Sequence, residues 1–102
     1  MAEIIWTEAA LNDLDEIAEY IAISNFTAAA ELVTKVFDCV DVLSTHPQAG
    51  KKPQEISYLQ YRELVVNPCR IFYKYEGEHV YILHILRQER DLRRYIITQG
   101  LK

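Results

Sequence analysis

The residues best suited to handling a phosphate are Lys51, Lys52, Arg70, Arg87 and Arg90, with His84 and Tyr95 able to carry a proton. Cleavage of RNA by its own 2′-hydroxyl needs a group that takes the proton, a donor to the leaving oxygen, and cations around the developing phosphorane charge. These residue types could supply all three. Most of them fall in NPCRIFYKYEGEHVYILHILRQERDLRRY, residues 67 to 95, where Arg87, Arg90, Arg93 and Arg94 follow one another closely. A competing reading accompanies each proton carrier. His84 is in phase with Val80 and Ile82, which predicts a hydrogen-bonded sheet histidine, and Tyr95 falls on the apolar side of a terminal helix, which predicts packing.

The charges are unevenly distributed. Residues 1 to 50 hold nine carboxylates against Lys35 alone, a balance of -8, whereas residues 51 to 102 hold ten cations against six anions, a balance of +4. Such polarity predicts that one half meets a partner the other does not. With a pI near 5.3, the whole chain is not a general nucleic-acid binder, because counterion release requires clustered cations. A local basic patch is compatible with this.

At 102 residues and half hydrophobic, the chain fits a single domain, 1–102, with its own core. No apolar run approaches the roughly 18 residues of a membrane span, and the acidic start lacks a signal peptide's basic region. A soluble cytoplasmic protein with no membrane partner is expected. Cys39 and Cys69, thirty residues apart within apolar patterns, read as buried free thiols. The sequence has no glycine-rich phosphate loop, no HExxH and no Cys/His metal spacing. No metal and no cofactor are expected.

The elements that must position these residues follow from periodicity. EIIWT reads as a short strand ending at a cap, Thr7. Leu11, Leu14, Ala18 and Ile21 then recur at helical spacing, with Asn12, Asp13, Asp15, Glu16 and Glu19 on other faces. SNF at 24 to 26 breaks the pattern, and Asn25 or Thr27 can cap a second helix. That helix carries Ala29, Val33, Val36, Val40 and Leu43 as a stripe, widened by Leu32, Phe37 and Cys39. STHPQAGKKP is a loop, since Pro47, Gly50 and Pro53 cannot propagate a helix. YRELVV, CRIFYKY and HVYILHIL alternate with period two and predict an antiparallel meander turning at Asn67–Pro68 and around Gly77. In the middle strand Cys69, Ile71, Tyr73 and Tyr75 face one way, and Arg70, Phe72 and Lys74 the other. ERDLRRYIITQG reads as a terminal helix stopped by Gly100. The predicted fold is α+β, in the order β-α-α-β-β-β-α, with an N-terminal helical hairpin on a small, mainly antiparallel sheet.

This order, together with WTEAALNDLDEIAEYIA, VLSTHPQAGKKP and above all YRELVVNPCRIFYKYEGEHVYILHILRQERDL, resembles the RelE/ParE superfamily of bacterial type II toxins, in its ParE branch. The resemblance implies a toxin, with a role in plasmid stabilisation, neutralised by a cognate ParD-like antitoxin whose tail wraps it. For ParE-like members it implies a non-enzymatic inhibitor of DNA gyrase, acting on the A subunit, with the Arg87, Arg90, Arg93 and Arg94 cluster contacting the target. RelE-like members instead cleave messenger RNA on the ribosome. On that alternative Arg70, Arg87, His84 and Tyr95 would be catalytic, Arg70 matching the family's strand arginine. A broadly acidic helical half would be repelled by ribosomal RNA, which favours the gyrase reading. An acidic antitoxin tail would meet Arg62, Arg70 and Arg87, with Val65 and Phe72 receiving its apolar anchors. A non-toxic antitoxin-binding module is a further alternative. Fold does not choose among these.

Overall fold

The computed structural model describes residues 1–53 and 60–88. Strand β1 (Glu3–Trp6) leads into helix α1 (Glu8–Ser24), then α2 (Phe26–Asp41) with a single 3-10 turn at Val42–Ser44. The meander follows as β2 (Arg62–Val66), β3 (Cys69–Glu76) and β4 (His79–Arg87). The sheet order is β1-β4-β3-β2, with β1 parallel to β4 and the other pairs antiparallel. The first strand therefore returns to the far side of the last, and α1 and α2 form the crossover between β1 and the meander. The predicted terminal helix lies outside the described residues.

Two caps fix where the helices begin. The Thr7 hydroxyl accepts from the Ala10 amide at 3.2 Å, and Asn25 Oδ1 accepts from the Ala28 amide at 3.0 Å. Asn25 also donates its own amide to the Ile21 carbonyl at 2.9 Å, so one residue closes α1 and opens α2. Polar side chains at these positions satisfy backbone donors that the helix leaves without partners. The β3–β4 turn is Gly77–Glu78 with Gly77 at φ 63°. A two-residue hairpin with positive φ at its first central residue calls for glycine there.

The core lies between the hairpin and one sheet face. Ala10 and Leu14 of α1 and Leu32, Val36 and Val40 of α2 pack with Val66, Cys69, Ile71, Tyr73, Val80, Ile82 and Ile85. Each fully buried aliphatic side chain here contributes about 1.5–3 kcal/mol. The α2 stripe is narrower than its sequence implies. Leu32 is buried and Val33 only partly, Phe37 is 37% exposed against the Trp6 ring, and Cys39 is exposed. Cys39 thus corrects the expectation of two buried thiols, because it sits one position short of Val40, on the solvent flank of α2. Cys69 is buried as expected, and both are free thiols.

The largest departure from the alternating pattern is in β4. Phe72 pairs with His84, but Tyr73 pairs with Ile82, leaving Leu83 as an extra residue. Such a bulge reverses the facing of everything beyond it. Val80 and Ile82 face the helices, and past Leu83 it is Ile85 that faces them. His84 is therefore out of phase with Val80 and Ile82 and lies opposite Phe72, on the other face. The bulge occurs where β1 runs out. There Thr7 takes over the exposed edge: its hydroxyl donates to the Ile82 carbonyl at 2.6 Å, and Asp13 Oδ2 accepts from the Ile85 amide at 3.0 Å. Two side chains of the crossover thus continue the hydrogen bonding of a strand that has ended.

Candidate functional site

The sheet face turned from the helices carries Glu63, Val65, Arg70, Phe72, His84 and Leu86, by their register with one another. It is largely closed over its centre. Phe72 is 0% exposed, Leu86 4% and His84 6%, so this face is buried at its centre as well. Arg70 lies within this layer. Its Nε and Nη2 both donate to Glu63 Oε2, at 2.9 and 2.8 Å, and its guanidinium stacks over the Phe72 ring, 4.8 Å from the centroid. Charge-assisted bonds of this length between partly buried groups orient the guanidinium firmly. A phosphate reaching Arg70 would have to displace a carboxylate. His84 is a buried sheet histidine whose Nδ1 is 3.7 Å from Asp13 Oδ2.

Arg87 belongs elsewhere. It pairs with Cys69, whose side chain is in the helix-side core, and its guanidinium lies 5.2 Å from the ring centroid of Tyr20 on α1. Arg70 and Arg87 thus project to opposite faces. The same division splits Arg62, Val65, Arg70, Phe72 and Arg87. Val65 (47% exposed), Arg70 and Phe72 share the far face, whereas Arg62 pairs with Tyr73 and so projects to the helix side. Arg90, Arg93, Arg94 and Tyr95 lie outside the described residues.

A second polar locus forms where the 46–53 loop returns to the sheet. Lys51 and Glu63 exchange backbone hydrogen bonds at 3.1 and 2.7 Å, which brings the loop alongside β2. The Tyr73 hydroxyl accepts from the Gly50 amide at 2.8 Å and donates to the Pro47 carbonyl at 2.9 Å. Arg62 Nη1 donates to the Gly50 carbonyl at 2.8 Å. Beside this lock is a pocket of about 220 Å³ lined by Gln48, Lys52, Gln60, Tyr61, Arg62 and Tyr75. Two cations and two phenols there can take a carboxylate or a phosphate oxygen. Among the described residues no group of three or more His, Cys, Asp or Glu side chains is placed to hold a metal ion.

Burial pushes the Tyr73 phenol above its ordinary value of 10.0, although the Gly50 hydrogen bond and the Arg62 charge pull the other way. The unfolded chain releases this proton first as pH rises. The stability contributed is therefore complete below about pH 10 and is lost as pH climbs through the folded value. Chemical denaturation across pH 9 to 11.5 is expected to show a decline that Tyr73→Phe reduces; an identical decline in both proteins would remove Tyr73 as its cause.

Comparison with known proteins settles what this framework is. Residues 4–92 match the family model of the ParE toxin of the type II toxin–antitoxin system parDE. The chain belongs to the ParE toxin family. Toxin RelE2 of Caulobacter vibrioides is 31% identical over 87 residues, covering 85% of this chain and 92% of that protein. A solved structure of the chromosomal ParDE toxin–antitoxin system from P. aeruginosa superposes with a TM-score of 0.72 at 26% identity, over 87% of this chain and 98% of that one. The α+β fold expected from the sequence is thus that of RelE/ParE toxins. Sequence reasoning had no signal for Glu63 or Asp13, each a plain surface acid by periodicity, or for Gly50 and Tyr73 as partners across 23 positions. Among the described residues no helix is long and apolar enough to cross a membrane.

Proposed function

We propose that this ParE-family toxin is a non-enzymatic inhibitor of DNA gyrase, neutralised by a cognate antitoxin with an acidic tail. The observation that supports the reading is the divergence of the arginines. Phosphoryl chemistry needs cations converging on one oxyanion, but Arg70 is engaged by Glu63 and Arg87 projects to the opposite face. An inhibitor needs only a surface with higher affinity for one state of its target. On this reading Arg87, Arg90, Arg93 and Arg94 form the gyrase contact. The antitoxin tail meets the β2 side of the sheet around the Lys51–Glu63 pairing, engaging Arg62 by charge and exposed Val65 by apolar contact.

A ribosome-dependent messenger RNA nuclease is the second reading. It is favoured by the name of the Caulobacter relative, Toxin RelE2, and by the Lys52, Arg62, Tyr61 and Tyr75 pocket. A gyrase supercoiling and cleavage assay, with and without the antitoxin, separates the two. Accumulation of cleaved DNA that the antitoxin suppresses is expected. Replacing Arg90, Arg93 and Arg94 together with Gln should raise the half-effective concentration at least about tenfold, the equivalent of ~1.4 kcal/mol of lost contact. Gyrase left untouched, with cleavage of ribosome-bound messenger, would establish the nuclease instead.

A further inference from the structure

We propose that the tip of the helical hairpin is a docking site for a cationic amphipathic helix of a partner protein. Three large apolar side chains stand out there: Tyr20 is 63% exposed, Ile23 85% and Phe26 77%. Tyr20 and Ile23 are neighbours one turn apart on α1 and Phe26 opens α2 two residues after α1 ends, so the three share the hairpin tip, and exposed apolar groups gathered at one place mark a contact surface. Their exposure does not come from a loose loop. Only Asn25 separates the helices, and it is bonded both to the Ile21 carbonyl and to the Ala28 amide. Tyr20 is held further by the Arg87 guanidinium against its ring. The apolar surface is therefore pre-formed, which lowers the entropy cost of binding.

Charge selects the occupant. Glu16 and Glu19 are exposed one helical turn before Tyr20 and Ile23, on the same sides of α1, and residues 1 to 50 carry a balance of -8. Among the described residues Arg87 is placed against this tip, over the Tyr20 ring. Nucleic acid and an anionic lipid surface are both repelled by this surround. A second copy meeting tip to tip would bring two such acidic halves together, at an electrostatic cost. An acidic antitoxin tail is disfavoured on the same ground, so this surface is separate from the one proposed on the β2 side of the sheet. A helix with Lys or Arg flanking an aliphatic ridge satisfies both the apolar triad and its acidic border. The inference does not depend on whether gyrase or the ribosome is the target.

The test uses the full chain and two short helical peptides, one of Leu and Lys and its Leu and Glu counterpart, titrated by fluorescence anisotropy and mapped by amide chemical shifts. Binding of the Lys peptide alone is expected, weakened by salt and with shifts confined to residues 16 to 26. The paired change Ile23→Ser with Phe26→Ser, at solvent-facing positions that should leave the circular dichroism spectrum unchanged, is expected to weaken it at least tenfold. Glu16→Lys with Glu19→Lys should transfer the preference to the Glu peptide. Failure of the Lys peptide to bind, equal binding of both peptides, or indifference to both variants would overturn the proposal. So would concentration-dependent self-association abolished by the serine variant, which would assign the tip to a second copy.

Discussion

Replacing Glu63 with Ala is expected to destabilise the protein by about 3–5 kcal/mol, the usual cost of removing one partner from a buried ion pair. The Glu63 side chain is 6% exposed and that of Arg70 13%, so water cannot take over the role of the lost carboxylate. The guanidinium remains in a low-dielectric layer against Phe72 and loses both charge-assisted bonds to Glu63 Oε2. In a domain of this size each kcal/mol moves Tm by roughly 4–8 °C, so a fall of at least about 12 °C should be seen by calorimetry. The double variant Glu63→Ala with Arg70→Met removes both charges and keeps an apolar stem over Phe72, and it should regain most of the loss. A Glu63→Ala protein within 1 kcal/mol of the parent would show that the pair is not what fixes Arg70. The result also bears on function. Arg70→Ala would leave Glu63 buried without its guanidinium, so loss of toxicity in that variant could come from unfolding and would not by itself indicate catalysis.

Where the chain obeys a local period, its structure could be read directly. The caps at Thr7 and Asn25, the hairpin turn at Gly77 and the three meander strands all follow from residue type and spacing. Sites that depend on the crossing of distant segments could not. The Leu83 bulge could not be placed from HVYILHIL, because Val80, Tyr81, Ile82 and Leu83 form a continuous apolar run that suits either face; it falls where the four-residue β1 ends beside the nine-residue β4. The reversal of His84 follows from that extra residue. Glu63 and Arg70 are seven positions apart and meet only because the Asn67–Pro68 turn sets Val65 opposite Arg70, bringing Glu63 within diagonal reach. Asp13 reads as one acid among many on α1 and is distinguished only by facing the edge that β1 leaves open. The charge asymmetry was legible from composition alone, but not the separation of Arg70 from Arg87, because strand facing depends on the bulge.

Gly50→Ala should be the more damaging of the two single-methyl additions available at described glycines, by about 2–4 kcal/mol. Gly77 has the positive φ, yet a Cβ there meets nothing within 4 Å. Gly77→Ala therefore incurs only the backbone penalty of a left-handed alanine, roughly 1–2 kcal/mol. At Gly50 the backbone is ordinary and the space is occupied. A Cβ would stand 2.7 Å from the Glu63 carbonyl oxygen and 2.7 Å from both Cε1 and the hydroxyl of Tyr73. None of these can retreat freely, since the carbonyl is bonded to the Lys51 amide and the ring is fully buried. The loop must lift instead. Overpacking of this kind costs about 1–3 kcal/mol, and each hydrogen bond lost from a buried group adds about 1–3. Tyr73→Phe provides the control, because it deletes the hydroxyl that collides with the new methyl and the bonds that the collision would break. The two changes act on one contact, so their effects should combine to less than their sum. Denaturant unfolding of the four proteins in the cycle measures this directly. Strict additivity would mean that Gly50 and Tyr73 stabilise the loop independently, and Lys51 and Lys52 would then be positioned chiefly by the bridge to Glu63.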